Sequence, residues 1–150
     1  MRRFSTISYG DLNSRQQEIY NFQKVSGVLA DYGFATYRLT DDWNGADFLA
    51  VHIDGSRFLR VQLKGRLTFD KKYFHKDVWL CFRHDGNVYL CPHDQLALEV
   101  LEVAQADGRK LYDATESWRK DGMYSYGSPP KWLLPHLAKY CLGKEGKSAP

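Results

Sequence analysis

The stretch NGADFLAVHIDGSRFLRVQLKGR, residues 44 to 66, constrains the fold of this chain more than any other. Apolar residues alternate with other residues on both sides of Asp54-Gly55, a dipeptide that typically closes a β-hairpin through a two-residue turn. The pattern predicts two antiparallel strands, about residues 46 to 53 and 56 to 64. In the register that this turn sets, Asp47 faces Gln62.

The two faces of the predicted hairpin differ in chemistry, because side chains of a strand alternate between its faces. One face is uniformly apolar and is expected to be core; it carries Phe48, Ala50, Leu59, Val61 and Leu63. The other face changes from apolar near the turn to polar at the open end of the hairpin; it carries Asp47, Leu49, Val51, Phe58, Arg60, Gln62 and Lys64. A carboxylate, an amide and an ammonium therefore converge at one end of one face.

Such a cluster suits metal-assisted attack on a phosphodiester. A carboxylate and nearby oxygens hold a divalent cation, and an ammonium offsets the charge that builds up in the transition state. A second carboxylate is predicted at Glu18, which shares a helical stripe with Phe22, Val25 and Leu29. The alternative for Glu18 is a solvated first helical turn, favoured by the helix dipole.

The remaining pattern predicts helices and strands on both sides of the hairpin. Helical periodicity covers residues 14 to 33, with Asn13 or Ser14 as the N-cap. The other predicted elements are a short strand at 34 to 39, a loop at 40 to 45, strands at 77 to 83 and 87 to 92 around Asp85-Gly86, and a helix at 93 to 108. Residues 109 to 128 read as irregular, and 128 to 142 as a last helix that Pro135 bends.

This order of elements predicts an α/β fold with one mixed β-sheet flanked by helices. A chain of 150 residues with 43% hydrophobic content is long enough for one core and short for two, so we expect one domain. Its core would span about 14–108, with a helical extension at about 109–142 and a frayed tail at 143–150.

Composition excludes several classes of protein. The apolar runs are too short to span a bilayer and the N-terminus lacks the apolar stretch of a signal peptide, which predicts a soluble, cytoplasmic protein without a membrane partner. The three cysteines have no metal or redox spacing. We found no Gly-rich phosphate loop, GxSxG or HExxH motif.

The hairpin and its leading helix resemble the core of the PD-(D/E)xK nuclease superfamily, which has the restriction-endonuclease-like fold. That pattern consists of an acid on a leading helix, an Asp near the start of a strand, and an acid-x-Lys element on the next strand. Here Glu18 matches the helix acid, Asp47 within GADF matches the strand Asp, and QLK matches the third element, with Gln62 in place of the acid and Lys64 as the lysine. The resemblance covers about residues 14 to 92, and Gln-x-Lys is similar to intron-encoded homing endonucleases of this fold.

The resemblance implies a Mg²⁺-dependent DNA endonuclease, with Mn²⁺ as an alternative ion. It makes Asp47 the principal metal ligand, with Glu18, Gln62 and the Leu63 carbonyl completing the oxygen shell. Lys64 would orient the attacking water or stabilise the pentacovalent phosphate. Because Gln62 contributes an oxygen without a charge, metal affinity should be lower than with the usual acid.

A basic run beside the proposed site supports DNA as the partner. Its candidate phosphate contacts are Arg60, Arg66, Lys71, Lys72 and Lys76. Tyr73 and Phe74 lie within this run and either pack on bases or anchor the connection. An ordinary solvated surface is the alternative for the run as a whole.

Two other functions stay open from the sequence. One is a nucleic-acid-binding module with a decayed PD-(D/E)xK site, acting in a defence or recombination complex. The other is a non-enzymatic interaction protein whose polar cluster is a hydrogen-bond network. A homodimer is plausible for a nuclease, because one site cuts one strand of a duplex, but no surface in the sequence argues for it.

Overall fold

The structure is a computed structural model that describes residues 3–109 and 116–144, without the side chains of residues 42, 116 and 117. Its helices are α1 (Ser14–Asp31), α2 (His93–Ala106), α3 (Glu116–Asp121) and α4 (Leu134–Leu137). Its strands are β1 (Phe34–Trp43), β2 (Ala46–His52), β3 (Phe58–Lys64), β4 (Thr68–Asp70), β5 (Val78–His84), β6 (Asn87–Pro92), β7 (Met123–Ser125) and β8 (Cys141–Lys144). No helix among these residues is both long and apolar enough to cross a membrane.

Six strands form one mixed sheet in the order β1-β2-β3-β5-β6-β8, and β4 pairs with β7 in a separate two-stranded sheet. β1, β2 and β3 are joined as antiparallel neighbours, whereas β3 and β5 run parallel. The parallel step requires a crossover, which residues 65 to 77 supply with β4 and a short 3₁₀ helix at Lys71–Tyr73. The predicted mixed sheet flanked by helices is confirmed.

The leading helix begins and packs as its sequence predicts. The Asn13 side chain accepts a hydrogen bond from the Gln16 backbone N–H, and the Gln16 side chain accepts one from the Asn13 N–H, which forms a capping box. Val25 and Leu29 are fully buried against the apolar face of the hairpin, where Phe48, Ala50 and Val61 also lie. α1 therefore covers one face of β2 and β3.

The central hairpin has the predicted register but a wider turn. Phe48 pairs with Val61 and Val51 with Phe58, as expected. However, the loop holds four residues between His52 and Arg57, where the His52 N–H donates to the Arg57 carbonyl. The prediction of a two-residue turn was therefore wrong. The register is nevertheless as predicted, because the loop is longer than predicted by one residue on each side.

A second hairpin replaces the loop predicted at residues 40 to 45. β1 continues to Trp43, which pairs with Ala46 across Asn44-Gly45, and both turn residues have positive φ angles of 54° and 84°. These angles are typical of a type I′ turn, for which Asn-Gly is a preferred sequence. A Cβ on Gly45 would lie 2.9 Å from the ring of buried Tyr73, so glycine is required here for space as well as for its backbone angle.

Over β5 and β6, the other face of the sheet is covered by α2 and by the C-terminal part of the chain. Leu80, Phe82 and Cys91 pack there against Leu96 and Val100 of α2. Trp118, Leu133 and Leu137 are buried in the same cluster. The chain beyond residue 109 thus contributes to the core.

Predictions for the C-terminal part were wrong in three respects. Residues 109 to 128 are not irregular throughout, because they include α3 and β7, although 110 to 115 lie outside the described residues. The predicted helix at 128 to 142 is reduced to α4 and a 3₁₀ turn, since Pro135 cannot occupy a helix interior and lies in the first turn instead. Residues 143 and 144, expected in a frayed tail, belong to β8, which pairs with β6 at the sheet edge; residues 145 to 150 lie outside the described range.

Candidate active site

The three polar groups predicted at the open end of the hairpin lie together. The Asp47 Oδ2 atom accepts hydrogen bonds from the Gln62 Nε2 atom at 2.8 Å and from the Leu63 backbone N–H at 2.9 Å. Lys64 follows Gln62 by two residues on the same strand and so shares its face. Both donors belong to β3, so they orient the Asp47 carboxylate of β2 toward the strand that carries Gln62 and Lys64.

A cavity of about 310 Å³ opens at this end of the hairpin, and residues of α1 form part of its wall. Glu18 lines this cavity together with Asp47, Gln62, Leu63 and Lys64. The Glu18 side chain is 70% exposed, and its Oε2 atom lies 3.9 Å from an Arg38 guanidinium nitrogen. Glu18 therefore stands at the solvent-facing rim of the cavity.

The Lys64 ammonium is positioned by a buried aromatic ring. Its Nζ atom lies 5.3 Å from the centre of the Tyr73 ring, and Lys72 Nζ lies 5.2 Å from the same ring. Attraction between a cation and the face of an aromatic ring accounts for this arrangement. Tyr73 thus links the end of β3 to the basic run that follows it.

Four cations of the basic run are exposed to solvent, and two of them also contact other side chains of the protein. Arg66, Lys71, Lys72 and Lys76 have exposed side chains. Lys72 Nζ lies 3.9 Å from Asp70, and Lys71 Nζ lies 5.2 Å from the centre of the Trp118 ring. These side chains are therefore within reach of a polyanion while keeping contacts within the protein.

Arg60 is held more firmly than the four exposed cations. Its Nη1 atom lies 3.3 Å from the Lys76 carbonyl, to which it donates, and 3.7 Å from the Asp77 carboxylate. Its guanidinium also lies 5.4 Å from the centre of the Trp43 ring. Arg60 thus joins β3 to the crossover and to the β1–β2 turn.

The two aromatic residues of the basic run anchor the connection. Tyr73 is 2% exposed, and Phe74 packs edge-on against His93 and Trp118. Tyr73 is thereby buried in the core and Phe74 packs against it, which favours the alternative that these residues anchor the connection. The alternation of charge and aromatic residues in the sequence did not reveal this, because the ring partners come from distant elements.

Two arginines beside the cavity were missed by the sequence analysis. Arg38 lines the cavity that contains Glu18 and Asp47. Arg83 lines an adjoining cavity of about 240 Å³, which also includes Lys64 and Asn21. Arg83 lies there because β5 runs parallel to β3 and Lys64 pairs with Phe82, the neighbour of Arg83. No signal in the sequence indicates this pairing, so Arg83 was not predicted.

The titratable groups of this region form no dense acidic cluster. Within residues 3–109 and 116–144, no group of three or more His, Cys, Asp or Glu side chains could hold a metal ion. Glu18 and Asp47 are the carboxylates that line the cavity, alongside the Gln62 amide and backbone. Comparison of the chain with protein-family models, with curated proteins and with solved structures found no match in any of the three.

Proposed function

We propose that this chain is a Mg²⁺-dependent DNA endonuclease with a restriction-endonuclease-like core. One observation carries the proposal: Asp47, Gln62 and Lys64 share one end of one hairpin face, at a cavity that Glu18 of the leading helix also lines. Four residues from three elements, α1, β2 and β3, thus bring two carboxylates, an amide and an ammonium to one opening. The resemblance to the PD-(D/E)xK pattern assigns roles to these same four residues.

The donor atoms around the cavity are of the kind that Mg²⁺ prefers. Asp47 and Glu18 would hold the ion, with the Gln62 amide oxygen and the Leu63 carbonyl as neutral oxygen ligands. Mg²⁺ bound there would polarise the phosphoryl group and lower the pKa of a water molecule. The hydrogen bonds from Gln62 and Leu63 fix the Asp47 carboxylate before any ligand arrives, which is the preorganisation that such a site needs.

Lys64 would supply the positive charge that hydrolysis of a phosphodiester requires. Negative charge grows on the phosphoryl oxygens as water attacks, and an ammonium nearby stabilises it. The Tyr73 ring limits the positions that the flexible Lys64 side chain can occupy. Arg66, Lys71 and Lys72 would contact backbone phosphates on the side of the crossover.

The proposal is tested by adding Mg²⁺ or Mn²⁺ to the wild type and to Asp47→Ala in a calorimeter, with nicking of supercoiled plasmid scored on the same samples. We expect the wild type to bind metal and to nick, and the variant to lose both activities. Melting curves of the two proteins serve as the control for folding. A wild type that neither binds metal nor nicks DNA would refute the proposal.

A nucleic-acid-binding module with a decayed nuclease site is the second candidate. The observation that favours it is the contact that each carboxylate makes within the protein: the Gln62 amide donates to Asp47, and Glu18 pairs with Arg38. This candidate predicts DNA affinity that falls steeply with salt, as expected from release of counterions, and no cleavage with any divalent ion. Metal-dependent nicking that requires Asp47 would exclude it.

A further inference from the structure

The face of β1, β2 and β3 that lies opposite α1 carries exposed aromatic side chains. We call it the open face, and it consists of Tyr37, Leu49, Val51, Phe58 and Arg60, with the Trp43 ring against Arg60. Tyr37 is 59% exposed, Phe58 53% and Trp43 47%. Three rings are thus accessible on one side of three neighbouring strands.

Pairing across the strands sets these side chains in two rows. Val51 lies between Ala35 and Phe58, and Leu49 lies between Tyr37 and Arg60. In the part of the chain that the structure describes, α1 packs on the opposite face and α2 packs beside β5 and β6. The rings therefore have the half-buried apolar side chains of Leu49 and Val51 as their cross-strand neighbours.

The open face is continuous with the candidate active site. Along β3, Phe58, Arg60, Gln62 and Lys64 follow one another at intervals of two residues, so they share a face. Asp47 extends the same face on β2. Arg60 contacts the crossover at Lys76 and Asp77, so a strand lying along β3 would pass beside the crossover between the aromatic rings and the Asp47 carboxylate.

We propose that the open face binds an unpaired DNA strand by stacking its bases on Tyr37, Phe58 and Trp43. This inference rests on the proposed function and adds the class of its substrate, DNA with a single-stranded stretch next to the bond that is cut. Aromatic side chains on a sheet stack well on bases of any sequence. In a duplex the base faces are already stacked on one another, so these rings would have no partner there.

The charge of the surface favours a nucleic acid over a second copy of this chain. The open face carries Arg60, which lies 3.7 Å from the Asp77 carboxylate, and its row on β3 continues to Lys64. The exposed cations Lys71, Lys72 and Lys76 lie on the adjoining crossover, whose Lys76 carbonyl accepts from Arg60. A symmetric dimer through this face would place these cations from both copies in or beside one interface, because a twofold interface uses the same patch twice. A phosphate backbone would instead be attracted to them.

The test measures binding of a labelled single-stranded 20-mer, and of the same sequence as a duplex, by fluorescence anisotropy in EDTA. The variants are Tyr37→Leu and Phe58→Leu, which retain an apolar side chain but remove the ring. Phe4→Leu is the matched control, since Phe4 is 86% exposed in the segment before α1. Melting curves and light scattering establish that each protein is folded and report its oligomeric state.

We expect the wild type to prefer the single strand, and each ring removal to weaken that binding by about fivefold or more. The control should bind as the wild type does. Equal or tighter binding of the duplex, or variants that bind the single strand unchanged, would overturn the inference. A wild-type dimer that the variants convert to monomers would also overturn it, because the face would then be occupied by a second copy.

This experiment separates the inference from the function on which it rests. Binding in EDTA requires neither metal nor cleavage. Single-strand binding that depends on the rings, without plasmid nicking in Mg²⁺, would support DNA binding by the open face and refute the proposed nuclease activity. Nicking without this binding would support the nuclease activity and refute DNA binding by the open face.

Discussion

Replacing Gln62 by Glu tests the contact at the centre of the candidate site. In the wild type, the Gln62 amide nitrogen donates to Asp47 Oδ2 over 2.8 Å. Gln62→Glu removes this donor and leaves two carboxylates facing each other. At 4 Å their repulsion amounts to about 1 kcal/mol in bulk water and about 4 kcal/mol at an effective dielectric constant of 20.

The expected loss of stability follows from these values and from the lost hydrogen bond. A hydrogen bond to a charged group contributes about 1.5–3 kcal/mol, but Asp47 is exposed and Gln62 half-buried, so solvent and rotation of the side chains reduce both effects. We expect the free energy of unfolding at pH 7 in EDTA to fall by about 2–4 kcal/mol. For a chain of this length the melting temperature should drop by about 5–15 °C.

Divalent ions should reverse this loss. Two carboxylates form a stronger oxygen site than one carboxylate and an amide, so Mg²⁺ should raise the melting temperature of Gln62→Glu more than that of the wild type. An ion present at 100 times its dissociation constant stabilises a protein by about 2.7 kcal/mol. The assay is a series of thermal melts of both proteins in EDTA and at increasing Mg²⁺.

A double variant provides the matched control. Asp47→Asn with Gln62→Glu exchanges the amide and the carboxylate, so the hydrogen bond can form again without two facing charges. We expect it to melt near the wild type and to gain less from Mg²⁺ than Gln62→Glu does. If Gln62→Glu is as stable as the wild type in EDTA, the contact between Asp47 and Gln62 is refuted. If Mg²⁺ does not restore the melting temperature of Gln62→Glu, the metal site is refuted.

Three further predictions use other parts of the structure. Lys64→Ala should abolish nicking while lowering stability by only about 0.5–1 kcal/mol. Lys72→Ala, which removes a cation from the same aromatic ring, should bind DNA more weakly but still nick it; nicking by Lys64→Ala would remove Lys64 from the mechanism. In denaturant unfolding, Gly45→Ala should lose at least about 2 kcal/mol through its backbone angle and its contact with a buried ring. Gly55→Ala, at φ 75° with open space around it, should lose about 1 kcal/mol, and equal losses would refute the packing argument. Burial lowers the pKa of His93, so the unfolded chain binds a proton more readily and stability should fall as pH drops below about 6.5; thermal melts that show no loss between pH 7 and 5 would contradict this.

The hairpin and the candidate site could be predicted because their signals are local. Alternation of apolar residues fixed which face of each strand is buried, and the register followed from the position of the turn. The register placed Asp47 opposite Gln62, and the hydrogen bond between them agrees. The cluster was therefore predictable from residues 44 to 66 alone.

One error concerned a local signal that was present in the sequence. Asn44-Gly45 is a hairpin dipeptide, and giving it the same weight as Asp54-Gly55 would have extended β1 to Trp43. The polar residues of TDDW made this segment resemble a loop. A twisted strand at a sheet edge tolerates such residues because one of its sides faces solvent.

The remaining errors depend on contacts between distant parts of the chain. β8 is only four residues long, and its partner β6 lies about 50 residues earlier in the sequence, so no local pattern indicates their pairing. Burial of Tyr73 likewise depends on His93 of α2. The exposure of Tyr37 and Phe58 follows from where the helices pack, which the hydrophobic pattern does not determine.

The measurement that tests the central claim most directly is nicking of supercoiled plasmid by the wild type and by Asp47→Asn, in Mg²⁺ and in EDTA. Asp47→Asn keeps the size of the side chain and an oxygen that can accept from Gln62, but it removes the charge that would hold a metal ion. We predict open-circular product with the wild type in Mg²⁺, and none with the variant or in EDTA. Nicking that Asp47→Asn retains, or a wild type that leaves the plasmid intact with Mg²⁺ and Mn²⁺, would contradict the assignment.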